Sequence, residues 1–331
     1  MSAAALVALL VEPSRAADLD TNAWTAILCA ARAERLLGSL ACRLDGFDVP
    51  DGVASVLATA RLDAEIGQTA ALWEAEMARR ALAPLGIPVV LLKGTAYVSA
   101  GVGAGQGRHI GDLDILVPRD RLLEVETALL EAGWEWVKPD PYDDAYYRRW
   151  MHELPPLIHR DRDRMIDVHH TLLPLTARPS PDAGELIAHS IMLKNGLHVL
   201  SPEDMIIHAA AHLLADGDLA GGLRNLWDIE RLLGEYDSEE FVRRLRGRAK
   251  LHGLAQVVEL ALRLRQSLFV DIDPAWRRLD FWYAARLLAR DGWGRPTRPL
   301  LRLVFYIRSH WLRMPPLMLA RHLWIKWRKA S

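Results

Sequence analysis

Apolar positions recur at three- and four-residue spacing through most of residues 1–85, the period of an amphipathic helix. The longest such stretch, 53–84, runs into Gly86 and Pro88, a helix stop with glycine at the C-cap. The pattern then changes. IPVVLLK (87–93) is a short β-branched run that predicts a buried strand, and GTAYVSAG after it opens a short helix. GVGAGQGRH, with four glycines in nine residues, is expected to be a flexible loop. GDLDILV predicts a strand over 112–117, stopped by Pro118. Asp120 is placed to cap the helix RLLEVETALLEA, which Gly133 closes. WEWV (134–137) reads as a strand and PDPYDDAYYRRW as a loop. HELPPLIH (152–159) and RMIDVHH (164–170) read as two strands joined by the turn RDRD. Beyond Pro174 helical spacing returns, predicting helices near 182–195, 202–215, 222–234, 238–249, 251–268, 275–290 and 299–328.

The expected fold class is α+β. A small mixed sheet (86–175) stands between N-terminal helices (1–85) and a larger all-helical C-terminal region (176–331).

Composition adds little to that picture. With 331 residues, 51% hydrophobic and 25% charged, the chain has material for two or three domains. A net charge of −1 gives no overall field for nucleic acid, although from Arg295 to the end there are nine Arg or Lys and no Asp or Glu. The two cysteines, Cys29 and Cys42, form neither a disulfide framework nor a zinc site, which suits a reducing cytoplasm. The start, MSAAALVALLVEPSRA, lacks a basic segment and reads as a helix rather than a signal peptide. No run approaches the ~18–20 apolar residues of a membrane span.

The acidic strand does change the picture. Alternate residues of a strand share a face, so Asp112 and Asp114 point the same way and repel. In MIDVHH, Ile166 and Val168 alternate with Asp167 and His169. If that strand neighbours 112–117, three carboxylates meet on one patch. A divalent cation is the natural compensation. An all-oxygen set suits Mg²⁺ or Mn²⁺, completed by substrate phosphates. Upstream, Lys93-Gly94-Thr95 sits where a strand turns into a helix. Free N–H groups, close backbone approach at Gly94 and the Thr95 hydroxyl make a phosphate cradle. Lys93 either adds a point charge or sends its head to solvent.

These segments together, LLKGTAY, RHIGDLDILV and MIDVHH, resemble the DNA polymerase β-like nucleotidyltransferase superfamily. More closely they resemble its bacterial uncharacterised nucleotidyltransferases, with LSPEDMIIHAAAH (200–212) and LRNLWDIERLL (223–233) continuing the likeness over about 60–235. The resemblance implies a metal-dependent enzyme that moves an NMP, AMP from ATP in the expected case, onto an acceptor and releases pyrophosphate. It implies that Gly94 and Thr95 hold the β- and γ-phosphates, that Asp112 and Asp114 bind metal, and that Asp167 binds metal and activates the acceptor hydroxyl. Arg108 matches the group's arginine ahead of the acidic strand. The sequence departs from the common pattern in Thr95 for Ser or Gly, a long Gly94–Asp112 spacer, and Asp rather than Glu at the third position.

Other readings stay open on sequence alone. Arg108 and Lys93 each divide evenly between a phosphate contact and an ordinary surface role. His169 shares the Asp167 face and is a supporting site residue or a solvated one; His170 is structural. His208 and His212 lack the HExxH arrangement of a zinc protease and read as a buried or interfacial pair. Asp228 pairs with Arg224 four residues earlier or serves substrate. The basic, aromatic C-terminal stretch packs on the domain in the favoured reading. The alternative is a membrane surface or nucleic acid, with peripheral contact only. Two other functions stand as alternatives: a non-catalytic nucleotide-binding or scaffold protein, and a nucleic-acid-modifying enzyme using the basic end. The acceptor, a small molecule, peptide or protein, is not legible.

Overall fold

In the computed structural model, residues 2–137, 140–236, 238–270, 278–313 and 324 are described. Four helices come first: α1 (Ser2–Val11), α2 (Thr21–Ala33), α3 (Leu37–Arg43) and the long α4 (Asp51–Leu82). Helix α4 buries one stripe, from Val53 and Leu57 to Ala71, Ala75, Ala78 and Leu82. That three- and four-residue spacing is what made it legible. Gly86 closes the segment in the left-handed region at φ 62°.

The sheet is built from β1 (Val90–Leu91), β2 (Leu113–Leu116), β3 (Trp134–Trp136), β4 (Leu157–His159), β5 (Met165–His169), β6 (Ile191–Met192) and β7 (His198–Val199). Their spatial order is β3-β4-β5-β2-β1-β7-β6. The centre is the parallel pair β2 and β5, with Asp114 opposite Asp167 and Ile115 opposite Val168. Strand β1 runs antiparallel to β2 and parallel to β7. The helices α5 (Lys93–Ala100), α6 (Leu122–Glu131) and α7 (Pro141–Trp150) are interleaved with the first five strands. The core is continuous, from Leu6 and Ile27 in the first helices through Leu91 and Ile115 to Leu226 and Leu264.

The architecture is the expected mixed one, with four local differences. The segment expected as a loop at 140–150 is α7: Asp140 accepts from the Tyr142 N–H at its start, and Arg148 ties it to Glu126. Asp120 does not cap α6. It lies in a 3₁₀ turn, Arg119–Arg121, and the N-cap is Arg121. The helix expected at 182–195 stops early, as α8 (Ala183–Ala188), and the chain turns into the β6–β7 hairpin. The sheet therefore continues past residue 175, because β7 finds an open edge on β1. The glycine-rich stretch is held, not loose. Gln68 Nε2 donates to the carbonyls of Gly105 (2.9 Å) and Arg108 (3.0 Å), and Ser39 Oγ donates to that of Gln106 (3.1 Å). A Cβ on Gly107 would lie 2.2 Å from the Gly38 carbonyl oxygen, so both glycines serve close backbone approach rather than flexibility.

Seven helices complete the described fold: α8, α9 (Pro202–Ala211), α10 (Gly222–Leu233), α11 (Glu239–Leu251), α12 (Ala255–Arg265), α13 (Arg278–Leu287) and α14 (Pro299–Arg313). Ser201 caps α9 by accepting from the Asp204 N–H. Past Ala211 the helix widens into a π turn, His212–Asp216. The first residues of the helix expected at 275–290, and the part of the 299–328 helix beyond 313 apart from Trp324, lie outside the described residues. Among the described residues no helix is long and apolar enough to cross a membrane.

Candidate active site

The acidic strand answers to its neighbour. Because β2 and β5 run in parallel with Asp114 facing Asp167, Asp112, Asp114 and Asp167 can each bring a carboxylate oxygen within 4.8 Å of the others. Asp114 is buried, Asp167 half-buried and Asp112 exposed. Asp114 receives Lys93 Nζ at 2.6 Å and lies 3.0 Å from His169 Nε2. Burial alone would raise its pKa, but the Lys93 charge and the His169 hydrogen bond prevail and hold it well below the usual carboxylate range. Asp167 goes the other way. Burial first, then the charges of Asp114 and Glu153, push it up to about 7. Its Oδ1 is buried with no partner among the described residues. An all-oxygen trio in which one ligand lacks any partner fits a hard divalent cation.

Two of the trio, Asp112 and Asp114, line a cavity of about 440 Å³; Asp167 stands behind its wall. That wall includes Lys93, Gly94, Arg108, His109, Asp112 and Asp114, with Arg35 from the α2–α3 junction, His212, and Arg224 and Asn225 from α10. Four cations thus share it with two acids. Lys93 begins α5 with φ 49°, a left-handed backbone unusual outside glycine, and this turn delivers its ammonium to Asp114 rather than to solvent.

Gly94 and Thr95 occupy places other than those of an open cradle. A Cβ on Gly94 would come 2.7 Å from Arg108 Nε, so the space above the glycine is filled by the arginine side chain. Thr95 is fully buried, is not in the cavity wall, and its hydroxyl has no partner among the described residues. Arg108 lies over the Tyr97 ring at 5.5 Å and forms an ion pair with Asp228. Arg224 pairs with the same carboxylate and donates to Ser39 Oγ at 2.7 Å. Asp228 is therefore a buried anchor for two cavity arginines, and the salt bridge of Arg108 is a buried one rather than a surface one.

His169 Nε2 also lies 3.5 Å from Glu153 Oε2. His152, Glu153 and His169 form a second group whose ligand atoms fall within 4.8 Å of one another, directly behind Asp114. Burial raises the Glu153 carboxyl. His208 is buried in α9, whereas His212 opens onto the cavity and meets Asn225 Nδ2 at 3.0 Å. Sequence reasoning missed Arg35, His152, Glu153 and the cavity face of α10. For Arg35 nothing in ARAER signals a site. Glu153 comes to the site through an isolated antiparallel bridge to His169, a pairing that the sequence does not signal.

Two solved structures show the level of likeness to known folds. The solution structure titled for the antibiotic-resistance factor ANT(2'')-Ia matches 60% of this chain and 98% of its own, at 13% identity and TM-score 0.38. A crystal structure of ANT(2")-Ia with adenylyl-2"-tobramycin matches 56% and 98%, at 13% identity and TM-score 0.37. Likeness at that level assigns this chain no substrate. No curated protein matched the chain. The family model described as "Uncharacterised nucleotidyltransferase" matches residues 20–270, a span that contains the acidic trio, the Lys93–Gly94 turn and the Arg224–Asp228 helix. The chain belongs to the uncharacterised nucleotidyltransferase family and is a nucleotidyltransferase enzyme.

Proposed function

We propose that this enzyme transfers a nucleoside monophosphate, AMP from ATP, to an acceptor hydroxyl, with Mg²⁺ or Mn²⁺ held by Asp112, Asp114 and Asp167. The observation that carries the reading is the meeting of those three carboxylates, two of which line a cavity that also holds Arg35, Lys93, Arg108 and Arg224. The cation, when bound, supplies the positive charge that a triphosphate needs beside three acids. Arg108, Arg224 and Arg35 supply the rest of the phosphate charge from the facing wall, with Asp228 fixing the first two in place. Asp167, whose buried Oδ1 has no partner among the described residues, takes the acceptor's proton. The acceptor oxygen then bonds to the α-phosphorus, the bond to the β-phosphate breaks, and pyrophosphate leaves with that electron pair. Lys93 pairs with Asp114, and the buried Thr95 lies under the turn.

The test is incubation of the purified chain with each labelled NTP, a divalent cation and fractionated cell extract, followed by mass analysis of what gains a nucleotide. Loss of labelling in Asp112→Asn with Asp114→Asn, with the far-UV circular dichroism of the folded chain retained, is the expected result. Labelling that persists in that double variant removes the carboxylates from the chemistry.

A further inference from the structure

We propose that the outer face of α14, with the adjoining start of α13, docks the enzyme on an anionic lipid surface. Leu300, Leu303, Val304, Ile307 and Trp311 follow i, i+3, i+4, i+7, i+11 spacing, which puts them on one side of the helix. All five are exposed, Leu300 by 78%, Val304 by 58% and Ile307 by 55%. The opposite side is anchored: Phe305 and Ser309 are buried, and the Phe305 ring stands 5.0 Å from that of Tyr283. Arg308 also donates to the Leu214 carbonyl at 2.8 Å. The stripe is therefore presented by a seated helix. It borders an apolar groove of about 960 Å³ to which Phe281, Trp282, Leu300 and Val304 contribute. Contiguous apolar exposure on this scale marks an interaction surface.

Charge selects the occupant. From Gly292 to Ser331 there are nine Arg or Lys and no Asp or Glu. A second copy meeting this face two-fold would bring like charges together. The chain's own residues 314–331 add Arg321, Lys326, Arg328 and Lys329 and no acid, so they do not neutralise the face either. Nucleic acid supplies negative charge but nothing for a stripe of aliphatic side chains. A bilayer rich in acidic headgroups satisfies both demands: the stripe enters the acyl boundary while Arg295 and Arg298, just ahead of α14, meet phosphates.

The full chain is tested by flotation with vesicles of phosphatidylcholine alone and of phosphatidylcholine mixed with phosphatidylglycerol. Binding to the mixed vesicles only, weakened by salt, is expected. Leu303→Glu with Ile307→Glu should lower it by about tenfold or more with no change in melting temperature, since both side chains are exposed. Should that variant fold poorly, Leu300→Ser with Val304→Ser probes the same stripe. Arg295→Gln with Arg298→Gln should weaken binding to the mixed vesicles and leave the stripe intact. No binding to mixed vesicles, or equal binding by the stripe variants, overturns the proposal. So does a concentration-dependent dimer that the stripe variants abolish, or an RNA complex that depends on the same residues.

Discussion

At the residue scale, the site is a contrast between two carboxylates that face each other across β2 and β5. Asp114 is held ionised by Lys93 and His169, while Asp167 is pushed up to about 7 by burial and its acidic neighbours. A carboxyl whose folded pKa exceeds its unfolded value of roughly 3.9 gives stability that is whole below that pH and is lost as the pH rises through about 7. A cation that binds the ionised trio reverses that loss, so its stabilising effect should grow with pH over the same window. Thermal melts with and without Mn²⁺ at about pH 5 and about pH 8 should show the larger upward shift at the higher pH, and Asp167→Asn should flatten the difference. An equal shift at both values in the wild-type chain would place the cation elsewhere. In turnover, Asp167→Asn should lose roughly 10²–10⁴-fold or more while keeping most nucleotide affinity, whereas Asp114→Asn should lose both. A kcat within a few-fold of wild type for Asp167→Asn, measured as ATP hydrolysis where the acceptor is lacking, would exclude it as the base.

At the element scale, what was legible in the sequence was whatever follows from period and face. The β2 and β5 strands declared themselves by alternation, and their parallel pairing then brought Asp167 to Asp114. Helix α4 declared itself by its apolar stripe. What long-range partners decide was not legible. Residues 191–195 read as helical because only the free edge of β1 makes a hairpin there favourable. The glycines of 101–107 read as slack because their contact with Gly38 spans some seventy residues. Likewise, the Arg224–Asp228 pair was readable at i, i+4, but Arg108 reaches Asp228 across the whole core. That shared acid makes α10 a structural part of the site. Asp228→Asn leaves two buried arginines short of their counter-charge and should cost about 3–5 kcal/mol, read as a lower urea midpoint. Nucleotide binding should weaken with it. A change of less than about 1 kcal/mol would mean that water already serves those guanidinium groups.

At the scale of the whole molecule, no single stretch owns the cavity. Arg35 comes from between the first helices, Lys93, Arg108 and the carboxylates from the sheet, and Arg224, Asn225 and His212 from the helices that follow. The three regions are also tied away from the cavity. Arg290 Nε donates to Glu34 at 2.7 Å, Glu34 accepts from the Leu223 N–H at 3.3 Å, and Gly107 meets Gly38. A ligand that fills the cavity therefore contacts all three at once, and by linkage it stabilises whatever must stay folded to bind it. ATP with a divalent cation at about a hundred times its dissociation constant should add about 2.7 kcal/mol. The rise should appear as one shifted transition in scanning calorimetry and as slower hydrogen exchange in α2, α5 and α10 together. Arg35→Ala tests the part played by the N-terminal helices. Its side chain lines the cavity from outside the sheet, so the variant should keep the unliganded melting temperature and lose part of the ligand-induced shift. If ligand instead splits the thermogram and leaves the first helices melting where they did before, the N-terminal region is a neighbour of the nucleotide site and not part of it.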